Sequence, residues 1–548
     1  MSLPLPGRAT LCWIIAALGL SLSLLLARSY PLVDPDEGRN AEVAREMSAS
    51  HDFLVPQLAG MPYLDKPPGL FWAAALAIRL AGRVPWAARL PAALSASLVV
   101  WMVCDLALRR AGPTFALRVG LMLTAAPLFA VMSAYVIFDM PLTLCVAALW
   151  TKMVDEAERG PSRGARLLMY AALAAGILLK GPVMLAWAVG GSLGAALVLR
   201  SRAPLRWLSW RTGWALVVTI AGGWFLLASL RHPEYPRYAL LEESLERMSS
   251  GSFHRDQPPW FVPAVLAAGA LPWSLATPWS RHLGSASKIA LGWVLFAAVF
   301  FTLSRSKLVT YLLPVLPPLA WLAAEAWSEV RRSRRGAWIL AGFYAMLSVG
   351  LPVAGTSLRT TLGDPGMRAL QLLSIGFAVL AVLTAWLGRS RPALGWVPSL
   401  DFTPMVLLLA HPALLERARA ESGAPLAAAI AAADPAARVR YEFCYSPGTD
   451  FLLGRTSALV SPLGIESTSN YQVRYRKLLI ERGAWKASAA TADLAPASVI
   501  VRPARDARPR PEDAGAFYRD ARFTAYRLAA PAARSGAADL ERSPQGTR

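Results

Sequence analysis

A recurring apolar run, about as long as a bilayer is thick, limits this chain more than any other feature. Twelve such runs lie between the N-terminus and residue 387: 11–27, 90–108, 115–132, 140–153, 167–179, 183–199, 213–230, 260–279, 289–303, 308–324, 337–353 and 370–387. A spanning helix needs roughly 20 apolar residues, with about 17 as the lower limit. Several runs are short as counted, so their ends must extend into the flanks. Inside lipid only helices and closed barrels satisfy every backbone polar group. Unbroken runs without alternation are helical rather than β. Run 11–27 has no A-x-A-like cleavage site after it and reads as an uncleaved first helix. The expected fold is an all-α polytopic membrane protein over residues 1–411, with about 12 or 13 transmembrane helices. A weaker run, 396–411, is interrupted by Asp401 and Pro404 and leaves the thirteenth crossing open. Beyond it, a helical stretch at 425–433 and β-like stretches at 439–445, 499–502 and 523–528 predict a small α/β soluble domain over 412–532. Residues 533–548 lack aromatics and are expected to be a disordered tail.

The arginines set the sidedness. Charged residues are only 17% of the chain, yet the net charge is +21. In a soluble chain that charge would point to nucleic acid. Here the cations gather in short links between apolar runs, as in cytoplasmic loops under the positive-inside rule, so nucleic acid is not an expected partner. Run 70–80 decides the phase. It is short and carries Arg79. If it lies along the outer surface, then Arg109, Arg110, Arg118, Lys152, Arg159, Arg163, Arg166, Arg200, Arg202, Arg206, Arg211, Arg281, Lys288, Arg331, Arg332, Arg334, Arg335, Arg389 and Arg391 all fall inside. If it crosses, all of them point outward. A surface-lying helix at 70–80 is therefore expected. Four segments then share the outer face: the loop 28–68, the turn at Asp139, the loop 231–259 and the turn 304–307. The four cysteines, Cys12, Cys104, Cys145 and Cys444, have no CxxC spacing and read as core residues.

These outer segments carry the chemistry. Asp34-Pro35-Asp36-Glu37 admits a capping account, with Asp34 as cap, Pro35 in the first turn and Glu37 closing a capping box. Capping does not account for so many carboxylates on one turn. Carboxylates crowded in a water-filled cavity also suit a general base or a divalent cation. Asp65-Lys66-Pro67-Pro68 again reads as a capped helix start, leaving Lys66 over. A lysine beside a helix N-terminus at the membrane face suits a lipid phosphate. Asp139 stands between two apolar runs, as a cap or as a second acid facing the compartment of Asp36. In the loop 238–260, Glu243 and Arg247 have i,i+4 spacing, which a solvated ion pair explains. His254 stands alone there as a candidate metal ligand. Arg305, Lys307 and Tyr311 are either snorkelling interfacial side chains or a phosphate clamp for an oxyanion that grows as phosphate departs.

Taken in order, these segments resemble the bacterial lipid-linked glycosyltransferases of the aminoarabinose transferase and protein O-mannosyltransferase type, multi-spanning enzymes of the GT-C class. Residues 36–42, Asp-Glu-Gly-Arg-Asn-Ala-Glu, resemble the family's DE-x-R-x-A-E motif. Residues 64–68 resemble its EKPP, 88–92 its ARLPS, 179–181 its KG and 242–247 its EEHLERF. Leu271-Pro272-Trp273-Ser274 and Ser304-Arg305-Ser306-Lys307-Leu308 complete a series covering about residues 30–319. The resemblance implies Asp36 as the main catalytic carboxylate with Asp139 assisting and Glu37 beside it. It implies Lys66, Arg247 and Tyr311 on the donor phosphate, with Arg305 or Lys307 nearby. It further implies a polyprenyl-phosphate sugar donor, inversion at the anomeric carbon, a lipid, glycan or protein acceptor, and a bacterial inner membrane with the site and the C-terminal domain on the periplasmic face. A divalent metal on Asp65, Glu243 or His254 is an open expectation. Ser244 stands where the family has histidine, and Asp65 where it has glutamate, and both departures count against a metal. Two rival classes remain. A transporter or flippase would carry ionisable groups at the helix midplanes, which here are almost free of them. An inactive scaffold of the same fold would have no need of Asp36, Lys66, Asp139 and Arg247.

Overall fold

The computed structural model describes residues 8–246, 256–276, 283–330, 333–488, 497–511 and 514–528. Among these, eight helices are long and apolar enough to cross a membrane by length and composition alone. They include α1 (Arg8–Ser29) and α4 (Pro85–Ala111). Between those two lie α2 (Asp36–Ser50), a short ribbon pairing Gln57–Leu58 with Met61–Pro62, and α3 (Gly69–Ala81). Helix α3 has only 13 residues and buries Leu70, Phe71, Ala74 and Ala75 while leaving Leu76 and Leu80 exposed. It is too short to cross, as the positive-inside argument requires.

Of the other expected crossings, 260–279 is a short helix, Phe261–Gly269, and a turn, Trp273–Leu275, whose continuation lies outside the described residues, and the remaining four fall on shorter or more polar helices packed inside the bundle. These are α5 (Pro113–Thr124) with α6 (Pro127–Met132), then α7 (Asp139–Arg159), α8 (Arg163–Lys180) and α9 (Val183–Leu199). Helix α10 (Arg211–Arg231) contains one π turn, Val218–Gly222. Helices α11 (Ser285–Leu303) and α12 (Leu316–Val330) follow. The 57-residue α13 (Arg334–Ser390) is two spans joined at a break, because Gly363 takes φ 62°, a left-handed value that only glycine adopts freely. At the inner ends of α4, α7 and α8 the loop cations become fasteners. Arg109 and Arg110 hold Asp155 at 2.7 and 3.0 Å, and Arg166 holds Glu156 at 2.6 Å.

The weak run at 396–411 is part of α14 (Phe402–Glu421), which with the preceding turn forms a 28-residue apolar segment. Helix α14 ends at Glu421, past the expected boundary at 411. Its last carbonyl accepts the Asp34 amide at 3.0 Å, and Val33 forms an isolated bridge to Ser422. The end of α14 thus meets the end of α1, which puts everything after it on the face of Asp36. Next come α15 (Ala424–Ala433) and a five-stranded mixed sheet. The sheet is built from β1 (Val439–Glu442), β2 (Ala458–Val460), β3 (Val499–Pro503), β4 (Ala514–Arg519) and β5 (Phe523–Leu528), in the order β2-β1-β3-β5-β4. Its centre is parallel, with Tyr441 opposite Val501, and β5 returns antiparallel, with Arg527 opposite Val499. Helix α16 (Pro447–Leu453) lies between β1 and β2 and packs on α2.

Candidate active site

Helix α2 opens the site. Its first turn holds Asp36 and Glu37, where the free amides favour negative charge. Successive residues of a helix turn by about 100°, so the two acids face different ways. Glu37 is fully buried and forms an ion pair with Arg89 at 2.6 Å. It also accepts the amides of Val33 and Val136, while Arg89 donates to the carbonyls of Ala27, Tyr30 and Pro31. Glu37 thus ties α1, α2 and α4 together and does not line the cavity described below, so the expected catalytic role does not fit its position. Asp36 is turned away from that core. Its side chain is 57% exposed, lines the cavity, and takes Arg39 Nη2 at 2.6 Å.

The capping account of Asp34 also needs correction. Pro35 is the residue before α2, and no side chain caps the helix. Asp34 instead binds the C-terminal domain through Ser446 Oγ at 2.6 Å, the Gly448 amide at 3.0 Å and Arg522 at 3.3 Å. Burial raises its carboxyl above the ordinary carboxylate value, and these partners work against that rise. Asp65 does not cap α3 either. It accepts the Tyr238 hydroxyl at 2.5 Å and the Tyr471 amide at 2.8 Å. Burial first, and then the charge of Glu243, raises its carboxyl.

Three pairs of opposite charge surround one cavity of about 600 Å³. They are Arg39 with Asp36, Lys66 with Glu243, and Lys180 with Asp139 at 2.5 Å. The Lys180 ammonium also sits 4.5 Å from the ring centre of Tyr311. Deeper in the membrane the wall turns apolar, with Ile177 of α8, Trp187 of α9, Ala221 and Phe225 of α10, and Phe300 and Phe301 of α11. A rim carrying three paired cations above an apolar slot can accept an anionic head on a long hydrocarbon tail. Segment 468–475 of the C-terminal domain covers the rim: Thr468 accepts Arg39 Nη1 at 2.6 Å, and Gln472 donates to the carbonyls of Leu58 and Pro62.

Of the residues singled out in the sequence, Asp36, Lys66, Asp65, Asp139, Glu243 and Tyr311 converge on the cavity. Arg305 is exposed and does not line it. Lys307 is buried outside the lining, donating to the Gln257 carbonyl at 3.0 Å. Arg247 and His254 lie outside the described residues. The acids present do not fit a metal. Asp65 is taken up by Tyr238 and Tyr471, Glu243 pairs with Lys66, and among the described residues no three His, Cys, Asp or Glu side chains lie close enough together to hold a metal ion. Sequence reasoning assigned no role to Lys180, Arg39 or Asn40. The match of residues 179–181 to the KG motif, a lysine closing an apolar run before a glycine, is the signal that marked Lys180.

Comparisons with known proteins agree with this fold. The family model described as dolichyl-phosphate-mannose-protein mannosyltransferase matches residues 65–224. The undecaprenyl phosphate-alpha-4-amino-4-deoxy-L-arabinose arabinosyl transferase of Aeromonas salmonicida is 27% identical over 435 residues, 75% of this chain and 78% of its own. That of Pseudomonas paraeruginosa is 29% identical over 403 residues, 69% of this chain and 72% of its own. The crystal structure of ArnT from Cupriavidus metallidurans bound to undecaprenyl phosphate has the same fold, with a TM-score of 0.77 over 94% of this chain and 97% of that one, at 24% identity. The fold is that of the GT-C class, and the sequence is similar to multi-spanning membrane glycosyltransferases along most of its length. Within that class the chain is ArnT-like, similar to the arabinosyl transferases along most of its length.

Proposed function

We propose that this enzyme transfers a sugar from a polyprenyl-phosphate donor to a hydroxyl acceptor on the periplasmic face of the bacterial inner membrane. The observation that carries this reading is the rim of three cation–acid pairs directly above an apolar slot. The slot accommodates part of an isoprenoid chain, and the rim receives its phosphate. In the free protein each cation is neutralised by a carboxylate. An arriving phosphate competes for Lys66 and Lys180, which leaves Asp139 and Glu243 able to meet sugar or acceptor hydroxyls. Asp36 takes the proton of the acceptor hydroxyl, whose oxygen attacks the anomeric carbon from the face opposite the phosphate. One C–O bond forms, the C–O bond to phosphate breaks, and the electron pair leaves on the polyprenyl phosphate with inversion. Lys66 and Lys180, with Tyr311 beneath Lys180, stabilise the charge growing on that oxyanion. The relatives' names make a polyprenyl-phosphate aminopentose the first donor to test.

The test is mass spectrometry of the lipids and glycans of a deletion strain, complemented with the wild type or with Asp36→Asn. A pentose- or hexose-sized mass lost on deletion, restored by the wild type and not by Asp36→Asn, is the expected outcome. Asp36→Asn should express and melt like the wild type, because Asp36 is largely exposed and its ion pair with Arg39 lies at the cavity rim. Full turnover in that variant would remove Asp36 as the base. An unchanged lipid and glycan profile in the deletion strain would overturn the transferase reading and favour transport.

A further inference from the structure

The backbone of Lys66 is held from both sides. After it stand Pro67 and Pro68, whose rings fix φ. A residue before proline is itself kept out of the helical region, so Lys66 has little freedom on that side. Before it stands Asp65, which is buried. Asp65 Oδ1 accepts the Tyr238 hydroxyl at 2.5 Å and the Tyr471 amide at 2.8 Å, and the Ser469 side chain also bonds the carboxylate. Two of these three donors come from the C-terminal domain. The same segment of that domain reaches the π-helical stretch Tyr238–Glu246, which carries Glu243, the ion-pair partner of Lys66. The Tyr475 hydroxyl donates to Glu242 at 3.2 Å, and Arg474 Nε pairs with Glu242 at 2.8 Å. Tyr471 donates its hydroxyl to Glu234 at 2.5 Å. Gln472 donates to the carbonyls of Leu58, Met61 and Pro62, in the ribbon that leads into the Lys66 loop. Tyr471 and Gln472 are fully buried, and residues 468–475 stand behind the cavity lining, not in it.

We propose that the C-terminal domain is a working part of the phosphate site: segment 469–475, gripping Asp65 on one side and Glu242 on the other, sets where Lys66 stands against an incoming phosphate. The inference rests on the transferase reading above, in which Lys66 receives the donor phosphate. A lysine ammonium is a point charge on a flexible four-carbon stem, and here it is bound to Glu243 in the free protein. To pass from Glu243 to phosphate, it must swing while its backbone keeps its place. Asp65 and the two prolines keep that place, and the hold on Glu242 keeps Glu243 from following the lysine. The placement matters because attraction between charges falls as the inverse of distance. An ammonium moved from about 3 to about 5 Å from the phosphate loses roughly two fifths of it. Tyr471, Arg474 and Tyr475 act through Asp65 and Glu242 and are positioning residues.

The test measures binding of undecaprenyl phosphate, and of undecaprenol as the phosphate-free control, to the full-length protein in nanodiscs. One variant combines Tyr471→Phe, Arg474→Gln and Tyr475→Phe, which removes the side-chain bonds of the segment to Glu234 and Glu242. A second, Asp65→Ala, removes the acceptor of the Tyr471 amide, whereas Asp65→Asn keeps an acceptor oxygen there. Each is made with Lys66 present and with Lys66→Met. With Lys66 present, the triple variant and Asp65→Ala should each weaken undecaprenyl phosphate binding by about 10-fold, and Asp65→Asn by less than about threefold. Undecaprenol binding should not change. With Lys66→Met the same changes should cost less than about twofold, because the lysine through which they act is gone. The same loss in both backgrounds, or a matching loss of undecaprenol binding, means that the segment only fastens the domain and overturns the inference. Wild-type affinity in the triple variant overturns it too. If the triple variant does not fold, the Asp65 pair decides alone: equal losses in Asp65→Ala and Asp65→Asn overturn the inference. A wild type that binds undecaprenyl phosphate no better than undecaprenol defeats the transferase reading instead, so the two failures are distinguishable.

Discussion

At the scale of single residues, two adjacent acids show how position decides role. Asp36 and Glu37 are the same chemistry one residue apart, yet one faces a cavity and the other is sealed against Arg89. Their substitutions should therefore fail differently. Asp36→Asn should stop turnover and keep the fold. Arg89→Met should leave Glu37 buried without its counter-charge, and removing one partner of such a pair costs about 3–5 kcal/mol. The expected result is a large drop in the melting temperature in detergent, with any surviving folded protein still binding lipid phosphate. An unchanged melting temperature would mean that the ion pair contributes nothing to folding. Sequence alone placed both acids in the first turn of a helix. It did not separate them, because the partner of Glu37 is 52 residues away on α4.

At the scale of elements, the close seating of α16 on α2 matters most. Gly38 allows it: a Cβ there would lie 1.9 Å from Asp34 Oδ1 and 2.7 Å from the Gly448 nitrogen. No side chain fits without pushing the two helices apart. Gly38→Ala should break the contacts of Asp34 with Ser446 and Gly448 and loosen the C-terminal domain. Overpacking of this kind costs about 1–3 kcal/mol. Limited proteolysis is the measurement, with faster cleavage after residue 421 expected in the variant. Identical cleavage would show that the seam tolerates a methyl group. The same seam explains why capping arguments failed here. Asp34 and Asp65 have the sequence look of helix caps, but each finds a better-placed donor in the C-terminal domain, Ser446 for one and the Tyr471 amide for the other.

At the scale of the molecule, the membrane bundle and the C-terminal domain share a buried charged seam. Arg45 of α2 binds Glu42 at 2.6 Å and Thr456 at 2.9 Å, and Glu46 and Asp450 lie close by. Asp450 is buried, accepts the amide and hydroxyl of Ser457, and has its carboxyl pushed up to about 7, chiefly by burial. The sign follows from linkage. An acid whose folded value lies above its unfolded value of 3.8 holds its proton longer in the folded state. Stability linked to this group is therefore greatest at acid pH and falls as pH rises from about 4 to about 7. Asp450→Asn should flatten the dependence of melting temperature on pH across that window. A slope identical to the wild type would mean that Asp450 is already ionised in the fold.

Much of the architecture was legible because hydrocarbon is an unforgiving solvent. Runs of apolar residues fixed where helices lie, and arginine placement fixed which ends face inward, including the surface-lying α3. The outward convergence of Asp36, Lys66, Asp139 and Tyr311 followed from the same sidedness. Three things depended on tertiary structure. One was the crossing by α14, since a run broken by Asp401 and Pro404 is ambiguous until its end is seen beside Asp34. Another was the choice of cations at the cavity, where Lys180 and Arg39 stand in the lining and Arg305 and Lys307 do not. The last was the pairing of Glu37 with Arg89, which takes that acid out of the cavity. The physical reason is common to all three. Solvent preference is a property of a short stretch of chain and can be read locally. A partner for a charge or an amide is a property of position in space, and here those partners come from stretches as far apart as residues 39 and 468.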